Sequence, residues 1–275
     1  MQQEHMRPAE KASRKPAGTG KKLPRPRAKG RDGTGVYATY LTAAAALAQP
    51  TDGATCKMRH ERLEQALSLE RFGRYLAWTE GDRNAAIELY GLNTRLSEAL
   101  YTPLQTLEVV LRNRIHSVLA ESHGEAWMHP AAGIVTGPYQ QAQVTKVVES
   151  LAKEGKDVTA GAVVSSLTFS FWTTMFHKDY ETLWQQGMHR IADASAPRGL
   201  RRKSFSGPLT RIRLLRNRIA HHEPIVGWDL RKHHERMLEI TAWLSPPAAT
   251  WSREHDRFAQ VHRAQAIVSA PGGRA

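Results

Sequence analysis

Residues 96–118 read LSEALYTPLQTLEVVLRNRIHSV, and this stretch decides the fold class. Leu96, Leu100, Leu104, Leu107, Leu111, Ile115 and Val118 recur at spacings of three and four. At 3.6 residues per turn that rhythm collects them into one apolar stripe, whereas a strand would place apolar residues at every second position. The helical pattern runs from Asn84 to about Ala120. Pro103 lies inside it, lacking an N–H and clashing with the carbonyl four residues earlier, so the spacing predicts a kink or a division into two helices there.

The same rhythm continues outward in both directions. Upstream, Leu63, Leu67, Phe72, Leu76 and Trp78 predict a first helix, weakened at Gly73. Downstream, Gly124 and Pro130 mark a turn, and Tyr139 to about Leu151 is helical. Val163–Phe176 reads as two helical pieces joined near Ser170. Ser206-Gly207-Pro208 predicts a helix start, because proline is preorganised for the first helical position. Pro224 ends that helix, since the residue before a proline avoids helical geometry. Asp229 caps the next helix, which stops at Pro246-Pro247, and a last amphipathic segment covers Trp251 to about Val268. Trp172, Trp184 and Trp243 fall near apolar helical positions and are expected in the core. No run of strands is evident. The expected class is all-α, a helical bundle over residues 51–268.

The chain has 275 residues, one cysteine (Cys56) and a formal net charge of +13. One cysteine excludes an internal disulfide framework and a cysteine-based zinc site. No apolar run reaches the ~20 residues of a membrane span, so no membrane partner is expected. The first 50 residues hold ten Lys/Arg against three acids, Glu4, Glu10 and Asp32, so about half of the excess charge sits there. They form a basic, Pro/Gly-rich and then Ala-rich extension that cannot bury enough surface to offset its ordering entropy. Disorder is expected there and in the tail 269–275. Val36–Ala48 reads as a short, weak helix more than as the apolar core of an export signal, and a cytoplasmic location is expected.

The chemistry concentrates in LLRNRIAHHEPI, residues 214–225. On a helical wheel Leu209, Ile212, Leu215, Ile219 and Ala220 share a side, and Arg216 falls within it. A guanidinium keeps its proton, so burial there calls for a partner or an anion. Asn217 and His221, four apart, border the stripe on one face. Arg216 and His221 are about 140° apart on an ideal helix and converge only at a helix end, a bend or a shared cleft. A cation, an amide and an imidazole around one groove suit RNA phosphodiester cleavage by the ribose 2′-OH. The same residues also fit a bland arrangement, with the arginine paired to a core carboxylate and the histidine capping carbonyls.

Several blocks of the sequence resemble the Abi-like (abortive infection) proteins of bacteria, a branch of the HEPN superfamily. They are Arg71-Phe72-Gly73-Arg74-Tyr75-Leu76, Gly81-Asp82-Arg83-Asn84 leading to Leu89-Tyr90 and Asn93, Leu107 to Asn113, Leu167 to Trp172, and Leu215 to Ile225. They stand in the family's order over about residues 68–245. The superfamily's mark is an arginine, then a polar residue, then a histidine. Arg216, Asn217 and His221 match it with four intervening residues.

The resemblance implies a helical bundle and a metal-independent endoribonuclease whose site forms where two copies of the motif meet across a homodimer. It assigns proton transfer to His221, phosphate to Arg216 and an orienting role to Asn217, with His222 as a possible second contact. RNA is the implied substrate, no cofactor is called for, and an antitoxin of protein or RNA is a possible partner. Because many superfamily members have lost activity, a non-catalytic RNA- or protein-binding module is the alternative.

Leu111–Ile115 repeats Leu215–Ile219 letter for letter, but in another register. That block is expected to be structural, with Glu108 and Arg112 able to pair at i, i+4, or with Glu108 neutralising Arg216. His221-His222-Glu223 recurs as His233-His234-Glu235. Neighbouring helical positions point about 100° apart, so neither pair readily chelates one ion and no metal site is expected.

Overall fold

The computed structural model describes residues 66, 67 and 69–262, apart from the side chain of Leu69. The basic extension, the segment Val36–Ala48, Leu63 and the residues beyond 262 lie outside them. The described residues are helical throughout, without a strand. None of the helices is long and apolar enough to cross a membrane.

Among the described residues ten α-helices follow one another, with residues 258–262 helical beyond them: α1 (Leu69–Trp78), α2 (Arg83–Ala99), α3 (Tyr101–His123), α4 (Pro138–Lys153), α5 (Ala160–Ser166), α6 (Phe169–Thr174), α7 (Glu181–Ile191), α8 (Arg202–Ala220), α9 (Leu230–Leu244) and α10 (Pro246–Glu254). Short 3₁₀ turns occupy Glu125–Met128, Pro130–Ala132 and Lys178–Tyr180.

The Leu96–Val118 stripe is buried along its whole length. It is divided between α2 and α3 at Leu100, as Pro103 predicts: without an N–H at 103, the carbonyl of Ala99 loses its helical donor. α3 is the central element, packed against α9, α10, α6 and α7. A ladder of stacked rings completes the core. Phe176 lies 4.9 Å from Trp184 and 5.0 Å from Phe205, and Phe205 meets Trp243 edge-on at 5.4 Å. Trp172, Trp184 and Trp243 are all buried, as expected.

Three boundaries differ from expectation. The two pieces of 160–174 join at Leu167-Thr168 instead of Ser170, because the Thr168 hydroxyl accepts from the Phe171 N–H and starts a helix there. α8 begins at Arg202, not at Ser206, and carries Pro208 in its interior. Tertiary anchoring overrides the proline: Phe205 fills the ring ladder, and the buried Arg202 pairs through Nε with Glu181 at 2.6 Å and donates to the Phe176 carbonyl. Finally, Pro246 opens α10 as well as closing α9, with the Ser245 hydroxyl capping the new helix, so the last expected segment starts five residues before Trp251 and is not continuous: α10 ends at Glu254 and helix resumes only at residue 258. Asp229 caps α9, its carboxylate accepting from the Lys232 N–H, as read from the sequence.

Candidate functional site

α8 carries the Arg-Asn-x-x-x-His motif and presents it at its C-terminal end. Leu209, Ile212 and Leu215 fix the helix to the core, while Ile219 is half-buried and Ala220 is exposed. Arg216 is therefore at the edge of the stripe and not within it: its side chain keeps 40% of its exposure. Its Nε lies 3.7 Å from Glu108 Oε2 on α3, the neutralising pair considered from the sequence. No other bond to Arg216 is present among the described residues, so the terminal nitrogens of its guanidinium are uncommitted.

The local Glu108–Arg112 pair does not form. Arg112 turns to α5, where Nη1 donates to the Ser165 carbonyl at 3.4 Å and Nε is buried without a partner. In the echoed block, Arg114 donates to the carbonyls of Ile191 and Arg190 at 3.0 and 2.8 Å. It thereby closes the C-terminus of α7, where a cation also meets the negative end of the helix dipole.

His221 is the residue at which α8 ends, and its N–H bonds the Asn217 carbonyl at 2.9 Å. His222 follows with φ +55°, a left-handed conformation that costs a non-glycine residue energy. The paired bonds His222 N–H to Ile219 O at 3.0 Å and Glu223 N–H to Arg218 O at 2.8 Å hold it there. These are the two bonds of a Schellman C-cap. Both histidines are exposed.

The loop that follows is clamped from two sides. Arg218 donates to the Pro224 carbonyl from Nε and Nη2 at 3.1 and 3.0 Å, pairs with Glu223 at 3.0 Å and packs 5.6 Å over Trp228. Buried Asn93 on α2 accepts the Ile225 N–H at 2.7 Å. Neither clamp was assigned from the sequence. Arg218 belongs to the motif, but nothing in its spacing marks the carbonyl it serves, and the Asn93 bond joins positions 132 residues apart.

Beside this loop lies a groove of about 570 Å³ between α1, α2 and residues 221–224. Glu70, Arg71, Arg74, Tyr75, Tyr90, His221, His222, Glu223 and Pro224 line it. A second groove, about 710 Å³, lies between the α2–α3 junction and the end of α8, and His222 lines this one too. Arg216 lines neither; it faces Glu108. Nor does the Asn217 side chain bond to Arg216 or His221 among the described residues. One chain thus brings His221 and His222 together with Arg71 and Arg74, and keeps Arg216 apart on the α3 side.

Tyr75 is 2% exposed, and its hydroxyl is buried with no hydrogen-bond partner. Burial pushes this phenol far above the usual tyrosine range.

The second His-His-Glu block is committed locally. His233 Nδ1 reaches the Asp229 carbonyl at 2.7 Å, buried His234 pairs with Asp256, and Glu235 pairs with Arg231 at 2.9 Å. Among the described residues no three His, Cys, Asp or Glu side chains are placed to share a metal ion. Comparison with known proteins returns no matching family model, no matching curated protein and no matching solved structure.

Proposed function

We propose that this chain is a metal-independent endoribonuclease of HEPN type, an effector of bacterial anti-phage abortive infection or of a toxin–antitoxin pair, acting on RNA in the cytoplasm. The observation that carries the proposal is the end of α8: an exposed histidine at the terminus of a rigidly clamped helix, one turn beyond an arginine whose terminal nitrogens are uncommitted.

In the proposed reaction the ribose 2′-oxygen attacks the adjacent phosphorus and the bond to the 5′-oxygen breaks. His221 moves the proton of the 2′-hydroxyl or supplies the one the leaving 5′-oxygen needs. Arg216 stabilises charge developing on the phosphate oxygens, and Glu108 pairs with its Nε while the other nitrogens stay uncommitted. Asn217 orients one of these groups. The products are a 2′,3′-cyclic phosphate and a 5′-hydroxyl. Since His221 lines the groove beside α1 while Arg216 pairs with Glu108 on α3, a homodimer that sets His221 of one copy near Arg216 of the other is part of the proposal. An antitoxin, protein or RNA, would cover the same surface.

The test is RNA cleavage in EDTA, wild type beside His221→Ala. Cyclic-phosphate ends from wild type and their loss in the variant, by at least a hundredfold, are expected. Intact RNA in the presence of tightly bound wild type would instead support a second reading, a non-catalytic RNA- or protein-binding module. The pairing of Arg216 with Glu108, the arrangement expected of an arginine with a purely structural role, favours that second reading.

A further inference from the structure

We infer that the groove between α1 and the loop after α8 is a phosphate-binding subsite for a single RNA strand. Arg71 and Arg74 would hold a phosphodiester neighbouring the one that is cut. This inference rests on the endoribonuclease reading and gives that site its grip on the substrate.

The groove is built for an anion in three ways. Arg71 and Arg74 are three residues apart on α1 and so share a face of that helix. Both are exposed, and neither has a charge partner among the described residues. His221 and His222 enter from the opposite wall on backbone that the C-cap and the Asn93 bond hold rigid. Tyr75 lines the same groove, and its hydroxyl is buried without a hydrogen-bond partner.

A buried hydroxyl without a hydrogen bond is costly, and native structures seldom keep one without a reason. An acceptor-rich group that reached Tyr75 from the groove would supply the partner this donor lacks. Of the two carboxylates that also line the groove, Glu223 is neutralised by Arg218 at 3.0 Å. Glu70 remains, and it limits how deep a negative charge can sit.

Phosphate is the chemistry that fits: two guanidiniums, a phenolic donor and imidazoles around a space of about 570 Å³, too large for the phosphate alone and wide enough for a nucleotide unit. A strand seated here continues directly past His221, so the subsite would set which phosphodiester meets the imidazole. The family blocks around Arg71–Tyr75 and Leu215–Ile225, distant in sequence, would thus serve one strand.

The experiment uses the full chain and a short 2′-O-methyl RNA oligonucleotide, which binds but cannot be cut because its 2′-oxygen is blocked. Fluorescence anisotropy reads Kd across a salt series. Arg71→Gln/Arg74→Gln should weaken binding about a hundredfold and flatten the slope of log K against log salt by about 0.7, the value for one phosphate no longer neutralised. Tyr75→Phe should weaken binding about fivefold while leaving Tm unchanged or higher, because it removes a hydroxyl that has no partner in the free protein. A purely structural Tyr75 would do the reverse.

Variants that bind as tightly as wild type, with the same salt slope, overturn the subsite, as does a wild type with no affinity for the oligonucleotide. The outcome for the enzyme reading is separate. A wild type that binds through Arg71 and Arg74 but leaves the unmodified strand whole refutes the nuclease and keeps the subsite. One that cuts while the variants bind normally refutes the subsite alone.

Discussion

Replacing Asn93 with alanine should loosen the loop after α8 from outside it. Asn93 Oδ1 accepts the Ile225 N–H at 2.7 Å, in a setting where both residues are buried. Alanine leaves that amide with no acceptor and no water. An orphaned buried donor costs about 1–3 kcal/mol, and each 1.4 kcal/mol is a factor of ten in an opening equilibrium. Hydrogen exchange at the Ile225 amide should therefore accelerate by about ten- to a hundredfold. For a domain of this size the same loss lowers Tm by about 3–10 °C. Ser97→Ala is the matched control. Its hydroxyl bonds the Asn93 backbone carbonyl at 2.8 Å within the same helix, and that bond does not reach the loop. Exchange at Ile225 should be unchanged in the control. Equal protection of Ile225 in wild type and Asn93→Ala would show that the loop does not depend on α2, and the account of how the histidines are held rigid would fail.

Two further perturbations test other parts of the fold. Glu181→Ala strands the buried Arg202 guanidinium with only the Phe176 carbonyl for company, so urea unfolding should show a loss of about 3 kcal/mol. A loss under about 1 kcal/mol would mean that the pair does not anchor the first turn of α8. Tyr75 gives a pH dependence. Its folded pKa is raised by burial, so its contribution is fully present below the unfolded value of about 10 and is lost as pH rises above it. The stability of wild type relative to Tyr75→Phe should fall progressively above about pH 10, and a flat difference across that range would contradict the burial.

The helical class was legible because one stripe, Leu96 to Val118, admits a single periodicity, and that stripe is the buried seam of α2 and α3. Boundaries set by local chemistry were legible too: Pro103 divides α2 from α3, and Asp229 caps α9. The start of α8 was not, because Pro208 is a local signal and the burial of Arg202 and Phe205 is a tertiary one. At the site, the Arg216–Glu108 pair could be considered from a helical wheel, since the wheel put the arginine where it needs a carboxylate. The wheel overstated its burial and placed Ala220 inward, because it assumes the helix packs equally up to its last residue. The groove with Arg71, Arg74 and Tyr75 was out of reach: its walls lie about 150 residues apart, and no periodicity links them.

The Asn93–Ile225 bond also bears on when the site comes into being. It closes a loop of 132 residues. The chain entropy of bringing such distant ends together is about 4 kcal/mol before any contact compensates for it. Helices α1 to α3 can form and pack locally, but the histidine loop has nothing to lean on until residue 225 has been synthesised and folded back onto α2. A nascent chain therefore carries Arg71 and Arg74 early and gains the wall with His221 and His222 only about 150 residues later. For a protein whose proposed target is RNA, that order of assembly would keep the growing chain from gripping the RNA of the ribosome until both walls are in place.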